Sequence, residues 1–289
     1  MIDLSIVIVT YNSARHIAAC LASLPPALEG VSAEVIVVDN ASSDGTAAAV
    51  RAAFPDVSVI DAGRNGGFAA GVNAGLAASS GRYALWLNPD SRIDAGRFRE
   101  VVDWLDAHPE TGIAGLRLID DEGNDEPSDR GFPSYHSAIG HRYSLLTRLW
   151  PSNPFSRRYL RTRGDRADAR DADWVSGAAL VHRRDVGERL GGLDTQFFMY
   201  CEDVDFCYRA RQAGWRTWYL PLVTVRHEIG GSTAREKPAM IRARHKSLWR
   251  YYRKHFKRNP VKDAATYAGI FGRRAWLLLY DRLGGRRVK

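Results

Sequence analysis

The chain predicts an α/β fold, a Rossmann-like and mostly parallel sheet flanked by helices, with a C-terminal basic helical appendage. Three observations carry this expectation. Strand-length apolar runs alternate with amphipathic segments through the first half of the chain, as in successive βαβ units. The runs at Ser5–Val9, Val37–Val38 and Trp86–Leu87 stop abruptly at Thr10-Tyr11-Asn12, Asp39-Asn40 and Asn88-Pro89-Asp90. Buried parallel strands whose C-terminal ends open onto a ligand crevice have this pattern. Charge then changes sign along the chain: 17 of the 41 Lys and Arg, but only three of the 33 acids, fall in 234–289. The appendage thus carries +14 and the body −6.

Taken in order, strands are predicted near 4–10, 34–39, 57–60 and 83–87, with helices near 13–24, 45–53, 68–79 and 95–107. Asn12 and Ser13 are placed to cap the first helix, and Ser42, Ser43 and Asp44 the second. These caps put polar side chains and free helix N–H groups on one edge of the sheet. Ile113–Ile119 reads as a further strand, followed by an acidic turn over 120–126. The segment 127–173, rich in Pro, Arg, Ser and Gly and weakly periodic, reads as a functional lid or mobile loop. Trp174–Val181 is predicted as one buried strand with small residues at its centre, where a ligand or backbone can approach closely. A helix over 202–213 ends at Gly214, and short strands follow at 215–220 and 223–226. Two helices at 234–257 and 260–283, broken by Asn259-Pro260, interleave cations with Trp249, Tyr251, Tyr252, Phe256, Trp276 and Tyr280.

Composition sets the class. With 289 residues, 45% of them hydrophobic, the chain can bury the core of one large domain. Apolar stretches are of strand length only, and the N-terminus runs directly into Ser5–Val9, so neither a secretory signal nor a membrane span is expected, and the location is cytoplasmic. Cys20, Cys201 and Cys207 have no metal-ligand spacing, which points to reduced, mostly buried thiols. No nucleic-acid-binding motif accompanies the basic tail, so nucleic acid is not an expected partner.

The segments with chemical content are Ser5–Asn12, Val37–Asp44, Arg64–Gly75, Trp86–Ser91, Asp173–Ala178, Tyr200–Asp205 and Val223–His227. In this order they resemble the family-2 glycosyltransferases of the type A nucleotide-sugar fold, in particular the bacterial rhamnosyltransferase-like branch. The resemblance covers roughly residues 4–230 and leaves the tail unexplained. It implies a nucleotide-sugar glycosyltransferase domain over 1–233, with a donor half at about 1–119 and an acceptor and catalytic half at about 120–233, then a basic aromatic helical tail over 234–289.

The same resemblance assigns roles. Thr10, Tyr11, Asn12 and Asp39 would hold the nucleobase and ribose, and a carboxylate is suited to accept the imide N–H of uracil or thymine. The simpler alternative for Asp39 is an Asx-turn at a strand end. Asn65 and Gly66 would touch the nucleotide, whereas Gly71 and Gly75 suit close helix–sheet packing. Asn88-Pro89-Asp90 stands where the family places its Asp-x-Asp metal motif. Asn88 departs from that motif and removes one negative charge, leaving Asp90 as main ligand, with His227 as the second, for Mn²⁺ or Mg²⁺. A divalent cation would offset the charge left on the departing nucleoside diphosphate. Glu202-Asp203 matches the family's acidic pair: Asp203 is the candidate general base, and Glu202 and Asp205 orient the acceptor or hold neighbouring groups. Trp174, Ser176 and Gly177 would lie beneath donor sugar and acceptor, with a core position for Trp174 as the alternative. Arg183 and Arg184 are open between pyrophosphate contact and solvent.

The implied activity is inverting, metal-dependent transfer of a sugar, L-rhamnose from dTDP-rhamnose, with dTDP or UDP as the donor nucleotide. The acceptor would be a lipid-linked saccharide of a bacterial surface polysaccharide, at the inner face of the cell membrane. The basic aromatic tail suits an anionic membrane surface, against the alternative of helices packed on the body. Two rivals remain at this point. A sugar-phosphate nucleotidyltransferase normally carries a Gly- and Arg-rich loop after its first strand, where this chain has Thr10-Tyr11-Asn12. A non-catalytic sugar-nucleotide or membrane scaffold is suggested by Asn88 and the tail.

Overall fold

The computed structural model describes residues 1–134, 150, 167–228 and 237–282, so most of the lid expected over 127–173 lies outside the described residues. The first half contains β1 (Leu4–Thr10), α1 (Ile17–Ala22), α2 (Leu24–Ala27), β2 (Ala33–Asp39), α3 (Thr46–Ala53), β3 (Ser58–Asp61), α4 (Phe68–Ala77) and β4 (Tyr83–Leu87). There follow β5 (Ser91–Gly96), α5 (Phe98–Ala107), β6 (Thr111–Ile119), β7 (Asp125–Glu126), β8 (Asp129–Arg130), β9 (Arg170–Ala172), β10 (Trp174–Val175) and β11 (Ala179–Arg183). The last elements are α6 (Arg184–Arg189), α7 (Glu202–Gln212), β12 (Arg216–His227), α8 (Lys237–His255) and α9 (Pro260–Arg282).

The main sheet runs in the order β3-β2-β1-β4-β11-β6-β12-β5. Its first four strands are parallel, and their ends lie in register: Thr10 pairs Asp39, which pairs Asp61. This is the polar edge that the abrupt strand ends predict. β11 then runs antiparallel to both β4 and β6, while β12 is parallel to β6. Alternate side chains of β1 enter two separate cores. Ile6 and Ile8 pack with Ile17, Leu21, Phe98 and Leu105 on one face, and Val7 and Val9 pack with Val72, Trp86 and Phe206 on the other. A Cβ on Gly71 would come within 2.5 Å of Val9 and one on Gly75 within 2.4 Å of Val7. The two glycines therefore let α4 lie directly on the sheet.

Five expectations change in detail. The predicted first helix divides into α1 and α2 and starts at Ile17, after His16, with the Ser13 carbonyl, not an Asn12 or Ser13 side chain, receiving its first N–H groups. For α3 the capping residue is Gly45 at φ 84°, although Asp44 Oδ1 does accept from Thr46 N. The helix expected over 95–107 starts only at Phe98, because Ala95 and Gly96 end β5, which pairs with β12 more than 120 positions later. The strand expected over 174–181 breaks at Ser176-Gly177-Ala178: β10 pairs with β8, and β11 moves between β4 and β6. Conversely, the two strands expected after Gly214 join as β12 through a register shift between Leu220 and Thr224.

The two tail helices differ. α8 packs on the body, burying Tyr251 and Tyr252, whereas α9 buries no residue and rests on α8 through Tyr267 and Phe271 against Trp249. No helix among the described residues is long and apolar enough to cross a membrane. Cys20 and Cys207 are buried, and all three cysteines are free thiols.

Candidate active site

The site is assembled from strand ends, starting with β1 and β2. Thr10 Oγ1 donates to Asp39 Oδ1 at 2.8 Å, Ser42 Oγ donates to the same oxygen at 2.6 Å, and Ser42 N donates to Oδ2 at 2.9 Å. A carboxylate offers about four acceptor directions, so one remains for a ligand donor. Asn12 sits at φ 53°, and its Oδ1 accepts from Ser43 N at 2.8 Å, which joins the loop after β1 to the loop after β2. Tyr11 is exposed beside them. Asp39 thus closes the turn after β2 through Ser42, three residues on.

A second set of contacts carries the site from donor side to acid pair. Asn40 Nδ2 donates to Gly67 O at 3.1 Å, and Asn65 Oδ1 accepts from Gly67 N at 3.0 Å. Phe68 N donates to Phe198 O at 2.8 Å. Gly67 has φ 85°, and a Cβ there would stand 2.2 Å from Phe198 O, so only glycine fits. Asn73 exchanges two hydrogen bonds with the Leu193 backbone, at 2.8 and 2.9 Å. Gly66 lies in this loop without a close approach of its own except to Ala70, at 3.0 Å from a built Cβ.

The loop 193–201 ends in Tyr200 and Cys201, both left-handed at φ 69° and 67°, immediately before α7. Non-glycine residues hold such conformations only where the surroundings impose them, and they cluster at functional sites. Asp203, in the first turn of α7, accepts from Gly177 N at 3.0 Å and from Val204 N at 2.8 Å. Burial is the largest influence on its carboxyl and raises its pKa, against the opposing pull of those two N–H groups and of Arg130. Glu202 is buried beside it, and burial followed by the Asp203 charge raises its pKa well above the usual range. Both carboxyls are thus pushed upward by burial, and only Asp203 has backbone N–H groups opposing the shift from a neighbouring strand break.

Gly177 leads directly to the Asn88 turn, because Asn88 N donates to Ala178 O at 3.0 Å. There Asn88 Nδ2 lies 3.3 Å from His227 Nε2, and Asp90 Oδ1 lies 3.6 Å from the same nitrogen. His227 Nδ1 lies 2.9 Å from Glu126 Oε2, which orients the ring so that Nε2 faces Asn88 and Asp90. Burial opposes charge on His227, but Glu126 and Asp90 outweigh it and raise its pKa. A cavity of about 190 Å³ opens beside Asp90, lined by Arg15, His16, Arg92, Arg226 and Glu228.

Asp90 and His227 thus meet directly, whereas Asp203 connects to them through Gly177, Ala178 and Asn88, and Asp39 connects to the Asp203 loop only through Asn40, Gly67 and Phe198. Other expected residues take quieter positions. Trp174 is buried and its Nε1 donates to Gly131 O at 2.8 Å, with Arg130 over its ring. Ser176 N donates to Ser128 O, so Ser176 fixes the break between β10 and β11. Arg183 and Arg184 reach neither pyrophosphate site nor open solvent: Arg183 binds the carbonyls of Leu105, His108 and Thr111, and Arg184 binds Gly81 O. The antiparallel run of β11 sets Arg183 opposite Tyr83, at the far end of β4. Asp205 is fully buried and holds Arg209, Lys254 and His255. Glu126, Gly67 and Phe198 carry contacts that sequence reading passes over; of these only Gly67, in its glycine cluster, leaves any signal.

Comparison with known proteins agrees with this construction. The sequence model of glycosyl transferase family 2 matches residues 5–186. An N-acetylglucosaminyl-diphospho-decaprenol L-rhamnosyltransferase of Mycobacterium tuberculosis is 33% identical over 257 residues, covering 85% of this chain and 82% of that protein. A low-salt glycan biosynthesis hexosyltransferase, Agl10, of Haloferax volcanii is 32% identical over 219 residues, covering 73% of this chain and 62% of its own. Among solved structures, a mannosyltransferase of Pyrobaculum calidifontis in complex with GDP-Man and Mn²⁺ superposes with a TM-score of 0.59 at 20% identity, over 94% of this chain and 71% of that one. The sheet, its flanking helices and the C-terminal helical region are those of the type A glycosyltransferase fold. The protein is a glycosyltransferase, and the chain belongs to glycosyl transferase family 2.

Proposed function

We propose that the protein transfers a sugar with inversion of the anomeric centre, with Asp203 as the general base. The observation that carries this reading is the link from Asp203 through Gly177-Ala178 to the Asn88 turn, which sets the acid within one strand end of the donor side. An acceptor hydroxyl must lose its proton as its oxygen attacks the anomeric carbon opposite the departing nucleotide. Asp203, whose carboxylate form is favoured by the Gly177 and Val204 N–H groups, is the member of the pair that accepts that proton. Asp39, with one acceptor direction in reserve, takes the imide N–H of the donor base, and Thr10, Tyr11, Asn12, Asn65 and Gly66 line the same side.

The residues at the Asn88 turn fit a divalent cation. Asp90 and His227 present an oxygen and a ring nitrogen to one another, and Glu126 orients the imidazole. Among the described residues no group of three or more His, Cys, Asp or Glu could hold a metal, so the donor's phosphates would have to complete the shell. Mn²⁺ or Mg²⁺ bound there would neutralise charge accumulating on the leaving nucleoside diphosphate.

The donor we propose is dTDP-L-rhamnose, and the acceptor a saccharide on a polyprenyl diphosphate. The name and 33% identity of the mycobacterial relative support the rhamnosyl group and the lipid-linked acceptor. A lipid-linked acceptor is consistent with α9, which exposes Val261, Tyr267, Trp276 and Leu279 among Lys262, Arg273, Arg274 and Arg282. Such a helix suits peripheral binding to the anionic inner face of the cell membrane. The test is a panel of dTDP and UDP sugars scored by thermal stabilisation with and without Mn²⁺. Stabilisation by dTDP-rhamnose, increased by Mn²⁺, is the expected result; equal stabilisation by every nucleotide sugar would defeat the donor assignment.

A further inference from the structure

α8 lies outside the segment that matches the family, yet it grips the loop that delivers the acidic pair. Ser247 Oγ donates to Met199 O at 2.8 Å. Lys254 Nζ reaches Asp194 Oδ2 and Asp205 Oδ1, each at 2.8 Å. His255 Nε2 donates to Asp205 Oδ1 at 2.7 Å, and both side chains are buried. Arg250 and Lys254 also lie over the ring of Phe197, and Arg244 over that of Tyr200. These contacts bracket the loop from Asp194 to Tyr200 and continue onto α7 two residues beyond Asp203.

The bracketed loop contains the two successive left-handed residues, Tyr200 and Cys201. Their conformations persist only when packing imposes them, and α8 supplies packing on the outer side. The donor end of the loop is held independently, by Phe68 N on Phe198 O and by Asn73 on Leu193. Freeing the α8 end should therefore move Asp203 and leave the donor pocket in place.

We infer that α8 is a positioning element of the active site, in which Ser247 and His255, the latter through Asp205, hold the 194–201 loop and α7 so that Asp203 stands against Gly177. This rests on the reading of Asp203 as the base. It also makes the first tail helix a part of the catalytic body.

The test uses the full chain carrying Ser247→Ala, His255→Ala or His255→Gln, with kcat, donor KM and donor Kd measured at a temperature where circular dichroism shows each variant folded. A displacement of about 1 Å costs up to about 100-fold in rate, so His255→Ala is expected to lower kcat by about 10-fold to 100-fold and Ser247→Ala by less. Donor Kd is expected to stay unchanged, and His255→Gln, which restores an N–H donor toward Asp205, to recover most of the rate. Folded alanine variants with wild-type kcat would overturn the inference, as would a loss of kcat matched by an equal loss of donor affinity. If His255→Ala does not fold, Ser247→Ala decides on the same criteria. An active Asp203→Asn protein would remove the base assignment instead, which is a separate failure.

Discussion

Glu202 and Asp203 are neighbours with the same functional group, and backbone N–H groups set their surroundings apart. Gly177 and Val204 donate to Asp203, whereas Glu202 has a buried oxygen, Oε2, with no hydrogen-bond partner among the described residues. Asp203→Asn keeps the shape and removes the base, so kcat should fall by about 10² to 10⁴ while donor affinity survives; steady-state kinetics with donor calorimetry checks both. Because burial raises the Asp203 pKa, the acid limb of the kcat profile should lie above the ordinary Asp value of about 3.9. For Glu202 the sign runs the other way from a salt-bridged acid. Its folded pKa is raised, so its contribution to stability is complete below the unfolded value of about 4.3 and fades as pH rises toward the folded value. Glu202→Gln mimics the protonated form, and its melting temperature should gain on wild type steadily as pH rises; parallel melting curves across pH would refute the assignment.

At the scale of elements, two junctions decide whether the site forms: Gly67 against Phe198, and α7 against α8. Gly67→Ala would drive a methyl into Phe198 O, at a backbone angle that alanine rarely adopts. Donor Kd and kcat should then deteriorate together, unlike the α8 variants, because Gly67 touches both the Asn40 side and the loop leading to Asp203. Asp205 anchors the other junction. Burial works against its charge, but His255, Lys254 and Arg209 prevail and bring its pKa down to about 2. A depressed carboxyl stabilises the fold above its unfolded pKa of about 3.9 and loses that contribution as pH falls through the folded value. Wild type should therefore lose stability between about pH 4 and pH 2 at this junction, and Asp205→Asn should flatten that dependence. At neutral pH the same substitution leaves Arg209 and Lys254 facing a neutral amide, and breaking a buried pair costs about 3 to 5 kcal/mol; urea denaturation of both proteins measures it.

Across the whole molecule, an acidic body is joined to a basic C-terminal segment, and the two segments of that tail do different work. α8 spends several of its cations on Asp194, Asp205 and aromatic rings of the body, so the charge count overstates what it offers a membrane. α9 exposes Val261, Tyr267, Trp276 and Leu279 and has no fully buried residue. Each cation near an anionic leaflet contributes about 1 kcal/mol, within a range set by the Debye length. Deleting residues from Pro260 onward should accordingly release the protein from anionic vesicles in low salt while turnover of a soluble acceptor continues. Cosedimentation with anionic and zwitterionic vesicles distinguishes the cases; equal retention of the shortened protein would exclude α9 as the docking element.

The sequence by itself determined the parallel half of the sheet and its polar edge. Ser5–Asn12, Val37–Asp44 and Trp86–Asp90 each record in a few consecutive residues where a buried strand ends and chemistry begins, and hydrophobic periodicity is a local property. Gly71 and Gly75 were legible as packing glycines for the same reason, and the family motifs ordered the site. Tertiary structure alone decided the antiparallel half. β5 becomes a strand only by pairing with β12, and the break at Ser176-Gly177-Ala178 exists because β10 and β11 join different neighbours. Arg183 and Arg184 are open in the sequence between pyrophosphate and solvent, and the direction of β11 excludes both by carrying Arg183 to the far end of the sheet. Glu126 on His227, Phe198 on Gly67 and α8 on the acid loop all join positions between roughly 50 and 130 residues apart. No local pattern encodes such pairings, since each side chain would be equally suited to solvent until the fold places its partner within 3 Å.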